Sequence, residues 1–198
     1  MEKLINKDLL KIDENWLNPT KGRVLVSEPF ASNVIFKRSV VYIIENSAER
    51  TLGFILNKPV IIKNNPLLDL IMPLPVRLSF GGPVYLDRIS CIHTLGNSII
   101  PNSQEIADGV YFGGDCNLVM KKITLGEIPQ EQVRFFLGCT AWRPNQLQEE
   151  INSKYWIVGN LDKKFIVNYD SNVWAEAVNN LGGHYKLWGN LPINPMWN

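Results

Sequence analysis

The stretch Ser39-Val40-Val41-Tyr42-Ile43-Ile44-Glu45 decides the fold. It is rich in β-branched residues and almost unbroken in apolarity, which is the pattern of a strand covered on both faces and therefore central in its sheet. Immediately after it, Asn46 to Arg50 reads as a turn. Thr51 to Leu56 then reads as a second strand of hairpin length, ending at Asn57-Lys58-Pro59, so the two pair antiparallel. Upstream, Arg23 to Ser27 reads as a strand entered through Gly22 and closed by Glu28-Pro29, because proline cannot donate to a ladder.

Farther along the chain, Asn65-Pro66 opens a short helix through Leu67, Leu68, Leu70 and Ile71, which Pro73 and Pro75 stop. Val76 to Phe80 and Ile89 to Leu95 read as strands, separated by the turn Gly81-Gly82-Pro83 and by a connector, Tyr85 to Arg88, that reads as exposed. Val110 to Phe112 is a further strand. Asp115 caps a helix carrying Leu118, Val119 and Ile123 and ended by Gly126, and Val133 to Leu137 is the next buried strand. Pro144 to Tyr155 carries the clearest helical pattern, with Leu147, Ile151 and Tyr155 on one stripe. Tyr155 to Val158 reads as a strand and Phe165 to Val167 as a short one. Asp170-Ser171 caps a last helix bearing Trp174, Ala177, Val178 and Leu181, ended by Gly182-Gly183. Strands and helices are interspersed without a regular βαβ beat, which favours an α+β fold over a doubly wound sheet.

No repeat, low-complexity tract or linker divides the 198 residues, so one domain is expected over 22–183, with an N-terminal arm (1–21) and a C-terminal tail (184–198) lying across its surface. Twenty lysines and arginines oppose 19 aspartates and glutamates, leaving no net field to hold a polyanion or an anionic membrane. Met1 to Trp16 interleaves charges with its leucines, and no apolar run approaches the roughly 20 residues needed to cross a bilayer. A cytoplasmic protein without a membrane role is expected.

Candidate sites are few. Cys91 and His93 stand two apart on a strand and share a face, which would permit a thiol–imidazole pair, but their apolar neighbours place both in the interior. The odd set Cys91, Cys116 and Cys139 suits reduced, inert thiols better than a disulfide framework, and two histidines with no CxxC pair give neither a zinc signature nor any other cofactor motif. Gly81-Gly82 precedes Pro83, which lacks an N–H, so a tight turn fits better than a phosphate cradle. Lys121-Lys122 supplies too few charges for a phosphate track, so direct nucleic-acid binding is disfavoured. Lys37-Arg38 and Arg88 could hold an acidic ligand or partner, and Trp142 could anchor a partner or pack over the following helix.

Several separated motifs, in order, resemble the AlgH/YqgE family of bacterial proteins over about Gly22 to Gly183. They are Phe36-Lys37-Arg38-Ser39-Val40-Val41-Tyr42-Ile43 through Glu45, then Gly53-Phe54-Ile55-Leu56-Asn57-Lys58-Pro59, then Gly81-Gly82-Pro83-Val84 with Arg88 and His93, then Gly138-Cys139-Thr140-Ala141-Trp142 with Asn145-Gln146-Leu147-Gln148. Cys139, Ala141 and Asn145 replace a tyrosine and two glycines of the family pattern; asparagine tolerates positive φ, which keeps the turn geometry within reach at Asn145. The resemblance implies a mixed, mainly antiparallel sheet curled into a barrel-like core with flanking helices. It also implies a non-enzymatic regulator of transcription acting through an unidentified protein or small-molecule partner, with no catalytic residue to carry over. The alternative is a small-molecule binder or enzyme built on a polar cluster of Arg38, Asn57, Lys58, Arg88 and His93. The candidate ligand or partner site is accordingly Arg38, Asn57, Lys58, Gly81, Gly82, Arg88, His93, Trp142 and Gln146.

Overall fold

A computed structural model describes residues 11–13, 17–61, 65–71 and 73–191. Among the described residues nine strands form one sheet: β1 (Val24–Ser27), β2 (Val40–Asn46), β3 (Thr51–Ile55), β4 (Leu78–Phe80), β5 (Val84–His93), β6 (Ser103–Ala107), β7 (Val110–Gly113), β8 (Val133–Trp142) and β9 (Trp156–Gly159). Along the main path their order is β6-β7-β5-β8-β3-β2-β1-β9, and every pairing is antiparallel except that of β4, which lies parallel to β8. Five α-helices among the described residues flank it: α1 (Pro66–Ile71), α2 (Cys116–Thr124), α3 (Gln146–Asn152), α4 (Lys163–Val167) and α5 (Val173–Leu181), the last followed by a 3-10 helix over Gly183–Asn190.

The β2–β3 hairpin forms as its sequence predicts, with Tyr42 opposite Phe54. β2 lies between β1 and β3, and its side chains divide between two cores because successive residues of a strand point to opposite faces. Val40, Tyr42 and Ile44 join Phe54, Phe136, Trp174 and Trp188 in the largest core, inside the curl of the sheet. Val41 and Ile43 pack outward with Leu147, Ile151 and Trp156 under α3. A third core lies beneath α1 and α2, around Cys91, Val119 and Phe135. β8 is the hub: β3 pairs with its Thr140–Trp142 end, β4 pairs with Phe135–Leu137 on the same edge, and β5 runs along the other edge. The sheet curls into a half-barrel whose far strand, β6, comes back to the start of β1. There Lys21 Nζ donates to the Glu105 carbonyl at 2.9 Å, and a Cβ on Gly22 would stand 2.6 Å from the Ala107 Cβ.

Four expectations change. β5 takes in the Tyr85–Arg88 connector, with a shift of register between Val84 and Ile89, so one long irregular strand replaces an exposed connector and a shorter strand. β6 has no counterpart in the sequence reading, because Ser-Gln-Glu-Ile-Ala lacks apolar alternation and only its pairing with β7 makes it a strand. Phe165 to Val167 is helical within α4, since the Asp162 carboxylate accepts from the Lys164 amide (2.9 Å) and caps a turn; three apolar residues fit either periodicity. The tail does not merely lie across the surface: Tyr185 is buried and Trp188 has no exposed area, its ring stacked 6.5 Å from Trp174. Removing an aromatic ring of that size from water is worth about 3 kcal/mol, enough to hold the tail in the core. Pro192, Pro195 and Trp197 lie outside the described residues. The caps expected at Asp115 and at Gly182-Gly183 are present, and Asn145 carries the anticipated positive φ of 66° at the start of α3.

Candidate functional site

Because β2 and β3 are antiparallel, the residue entering β2 and the residue leaving β3 meet. Asn57 sits against Arg38: its Nδ2 donates to the Arg38 carbonyl at 2.6 Å, and its Oδ1 accepts from the Val40 amide at 3.1 Å. These bonds hold Arg38 at a φ of 50°, a left-handed conformation costing a non-glycine residue about 1 kcal/mol and persisting only where its surroundings fix it. So held, the Arg38 guanidinium lies 4.8 Å over the Trp174 ring of α5, and its Nη2 donates to the Leu191 carbonyl at 2.6 Å. Lys58 Nζ turns back to the Lys37 carbonyl at 2.8 Å, and Lys37 Nζ stands 5.8 Å from the Phe30 ring. Ser171, Asn172 and Ala175 complete a cleft of 460 Å³.

Positive charge dominates this cleft. Lys37, Arg38 and Lys58 are all half-buried. Burial lowers the pKa of Lys58 below its ordinary value, and the neighbouring Lys37 adds to the shift; burial likewise lowers Arg38. Ion pairs among the described residues are Arg50 with Glu45, Lys122 with Glu127, and His184 with Asp13, so neither lysine of the cleft has a carboxylate partner there. The opposite wall begins with α5, whose N-cap is Asn172 without a side-chain capping bond; the Asp170 carboxylate, expected to cap this helix, accepts instead from the Asn172 amide at 2.7 Å.

Behind the cleft lies a cation that the sequence reading placed within an apolar strand without comment. Arg134 of β8 is fully buried. Its Nε donates to Ser79 Oγ (3.0 Å), Nη1 to the carbonyls of Ile166 (3.2 Å) and Asn168 (3.3 Å), and Nη2 to the carbonyl of Leu56. The guanidinium also lies 4.9 Å from the Phe136 ring and 5.5 Å from Tyr169. Burial brings its pKa down to about 9. Leu56 adjoins Asn57 and Asn168 adjoins the loop into α5, so Arg134 ties one wall of the cleft to the segment that leads into the other. A lone charge inside a predicted buried strand was the available signal.

The nine candidate residues do not share one place. Arg38, Asn57 and Lys58 meet in the cleft, joined by Trp174 and Ser171, expected from sequence in core and cap, and by Asn172, which carried no sequence signal. Arg88 is exposed on β5 and stacks on Tyr85 at 5.2 Å. His93 is buried at the end of β5, stacked on Tyr111 at 5.7 Å; neither ring nitrogen has a hydrogen-bond partner among the described residues, and burial lowers its pKa against a weaker opposite pull from the Gly113 carbonyl. The five-residue polar cluster is therefore divided by the sheet. Gly81 and Gly82 pack against β8, where an added Cβ would stand 2.2 Å from the Gly138 carbonyl oxygen and 2.3 Å from the Cys139 carbonyl, leaving no room for a phosphate. Trp142 is buried and donates its indole N–H to Glu150 at 2.9 Å; Gln146 donates to the same carboxylate at 2.9 Å and accepts from the Arg143 amide at 3.0 Å, so both order the start of α3. Cys91 is fully buried and contacts the half-buried Cys116, at 3.5 Å between sulfurs.

A larger hollow of 710 Å³ lies between β9 and the C-terminal end of α5, but it gathers no lysine or arginine, and Asp13 and His184 there already stand 3.6 Å apart. Among the described residues no three His, Cys, Asp or Glu side chains gather closely enough to hold a metal ion, and no helix is long and apolar enough to cross a membrane.

A family model described as AlgH-like matches residues 24–186, which spans all nine strands and α1 to α5. The chain belongs to the AlgH-like family. Among AlgH-like relatives it is similar to a UPF0301 protein of Bacteroides fragilis, 35% identical over 196 residues that cover 98% of this chain and 99% of the relative. It is similar also to a UPF0301 protein of Parabacteroides distasonis, 36% identical over 194 residues, covering 97% and 98%. Two solved structures share the fold. Protein DIP2367 from Corynebacterium diphtheriae superposes with a TM-score of 0.74 at 21% identity, covering 95% of this chain and all of that one; the solution structure of AlgH from Pseudomonas aeruginosa gives 0.68 at 21%, covering 91% and 98%. The AlgH-like architecture expected from the motifs is thus the architecture of the chain.

Proposed function

We infer that this AlgH-like protein is a non-enzymatic cytoplasmic binding protein whose Lys37–Arg38–Lys58 cleft takes the anionic group, phosphate or carboxylate, of a small ligand. The observation behind this reading is the pair of half-buried lysines that form no ion pair with a carboxylate among the described residues, beside Arg38. Desolvated cations of one sign raise each other's energy, and an anion relieves that cost directly. At 460 Å³ the cleft is within the range of small-ligand sites. The groups gathered there donate positive charge and hydrogen bonds, which suffices for binding. A regulatory role, transcriptional in the sense the family name suggests, would follow from occupancy of this cleft and transmission to a partner.

Titration of the isotope-labelled protein with inorganic phosphate, then with citrate, tests the reading. The amides of Lys37 to Ser39, Lys58 and Ser171 to Ala175 and the Trp174 indole are expected to shift together and saturably, with affinity falling as salt rises. Shifts absent from these positions, or scattered evenly over exposed lysines, would dismiss it.

A further inference from the structure

The third core holds a pair of cysteines that sequence spacing gave no reason to join. Cys91 lies on β5 and Cys116 is the first residue of α2, 25 positions later, yet their sulfurs stand 3.5 Å apart. Cys91 is fully buried and its thiol also donates to the Gly113 carbonyl at 3.4 Å, whereas Cys116 is half-buried and meets solvent. The two sites are therefore unequal: one sulfur is reachable by a small oxidant, and the other waits behind it.

We propose that Cys116 and Cys91 form a peroxide-oxidisable dithiol, Cys116 being the attacking sulfur and Cys91 the resolving one. In the first step the Cys116 thiolate attacks one oxygen of hydrogen peroxide or a small organic hydroperoxide. The O–O bond breaks, the sulfur becomes a sulfenic acid, and the second oxygen leaves, taking a proton, as water or an alcohol. In the second step the Cys91 sulfur attacks the Cys116 sulfur, the S–O bond breaks, and the hydroxyl leaves as water with the Cys91 proton. Two thiols and one peroxide yield one disulfide and two molecules of water, or water and an alcohol.

The surroundings support this division of labour. The contact between the two sulfurs lowers the pKa of Cys116, whereas the same contact and burial raise that of Cys91. The Asp115 carboxylate opposes ionisation at both, but its oxygen is engaged by the amides of Asn117 and Leu118 at 2.9 and 3.2 Å. A disulfide needs the sulfurs to close from 3.5 Å to about 2.05 Å, and α2 and β5 already pack in one core, so the bond joins elements that are neighbours beforehand. Cys139 supplies an internal control: burial raises its pKa to about 11, it sits elsewhere on β8, and it pairs with neither sulfur.

The test exposes the full-length reduced protein to stepwise hydrogen peroxide, followed by thiol counting and intact mass. The expected result is a fall from three free thiols to one, a loss of two hydrogen masses, and a Cys91–Cys116 cross-linked peptide within a single chain. In Cys91→Ala the reaction is expected to stop at a Cys116 sulfenic acid captured by dimedone, and in Cys116→Ser all remaining thiols survive the same exposure. Three thiols persisting in the wild type would overturn the proposal, as would a link only between two chains. Oxidation of Cys91 in Cys116→Ser would overturn the assignment of the attacking sulfur.

Discussion

Arg134 and Lys58 are both desolvated cations beside the end of β3, Arg134 donating to the carbonyl of Leu56 shortly before Lys58 in the chain, and they meet opposite fates. Arg134 is closed in by a hydroxyl and three carbonyls, which satisfy the fork of its guanidinium without any carboxylate. Lys58 spends one donor on the Lys37 carbonyl and faces a cleft of further cations. A buried polar group satisfied on all sides specifies structure, whereas one left short of partners marks a place where something else can bind. The first cation therefore belongs to the scaffold and the second to the site.

The largest break in this comparison comes from Arg134→Ala. Losing the guanidinium leaves the Leu56, Ile166 and Asn168 carbonyls without their donor, and unfolding in urea should show a loss of about 3 kcal/mol. Arg134→Lys, which keeps the charge but not the fork, should fall between the two. If Arg134→Ala is as stable as the parent, the scaffold half of the contrast is wrong. A smaller effect, of opposite kind, is expected from Lys58→Met. Stability should move by less than about 1 kcal/mol, since a half-exposed cation without a carboxylate partner gives up little. Phosphate affinity measured by calorimetry should drop about tenfold, equivalent to about 1.4 kcal/mol.

The smallest effect concerns His93, a third buried polar group and one with no hydrogen-bond partner among the described residues. Its pKa in the folded protein lies below the 6.5 of the unfolded chain, so as pH falls below 6.5 the unfolded state takes up a proton that the folded state refuses. Stability must then decline with falling pH through the window between 6.5 and the lowered folded value, and it is fully retained above 6.5. Comparing urea midpoints of wild type and His93→Phe across that window should show the variant losing less stability than the wild type as pH falls. Equal losses would mean that the imidazole is protonated in the folded state as readily as in the unfolded one.

What the sequence made legible follows the length and periodicity of its elements. Ser39 to Glu45 announced a doubly covered strand, and Asp115 and Gly182 announced helix boundaries, because each of those signals is local. The edge strand β6 and the helical turn at Phe165–Val167 escaped because pairing and capping, not composition, decide short segments. The site was half legible for the same reason. Arg38 and Asn57 flank hairpin strands, so their meeting could be read from antiparallel pairing, but Trp174 and Ser171 arrive from more than a hundred residues away. His93 and Arg88 were joined to that cluster by motif order alone, which carries no information about which side of a sheet a residue occupies. Cys91 and Cys116 show the converse: a spacing without any motif became a contact once β7 and α2 were folded against β5.

Heteronuclear NMR titration of the Lys58 side chain against pH, first without phosphate and then with it, reaches the claim at the centre of the account. Lys58 should lose its proton below 10.5 in phosphate-free buffer, and phosphate should move that titration upward as the bound anion stabilises the ammonium. A Lys58 that titrates at or above 10.5 without phosphate, and does not move when phosphate is added, would contradict it.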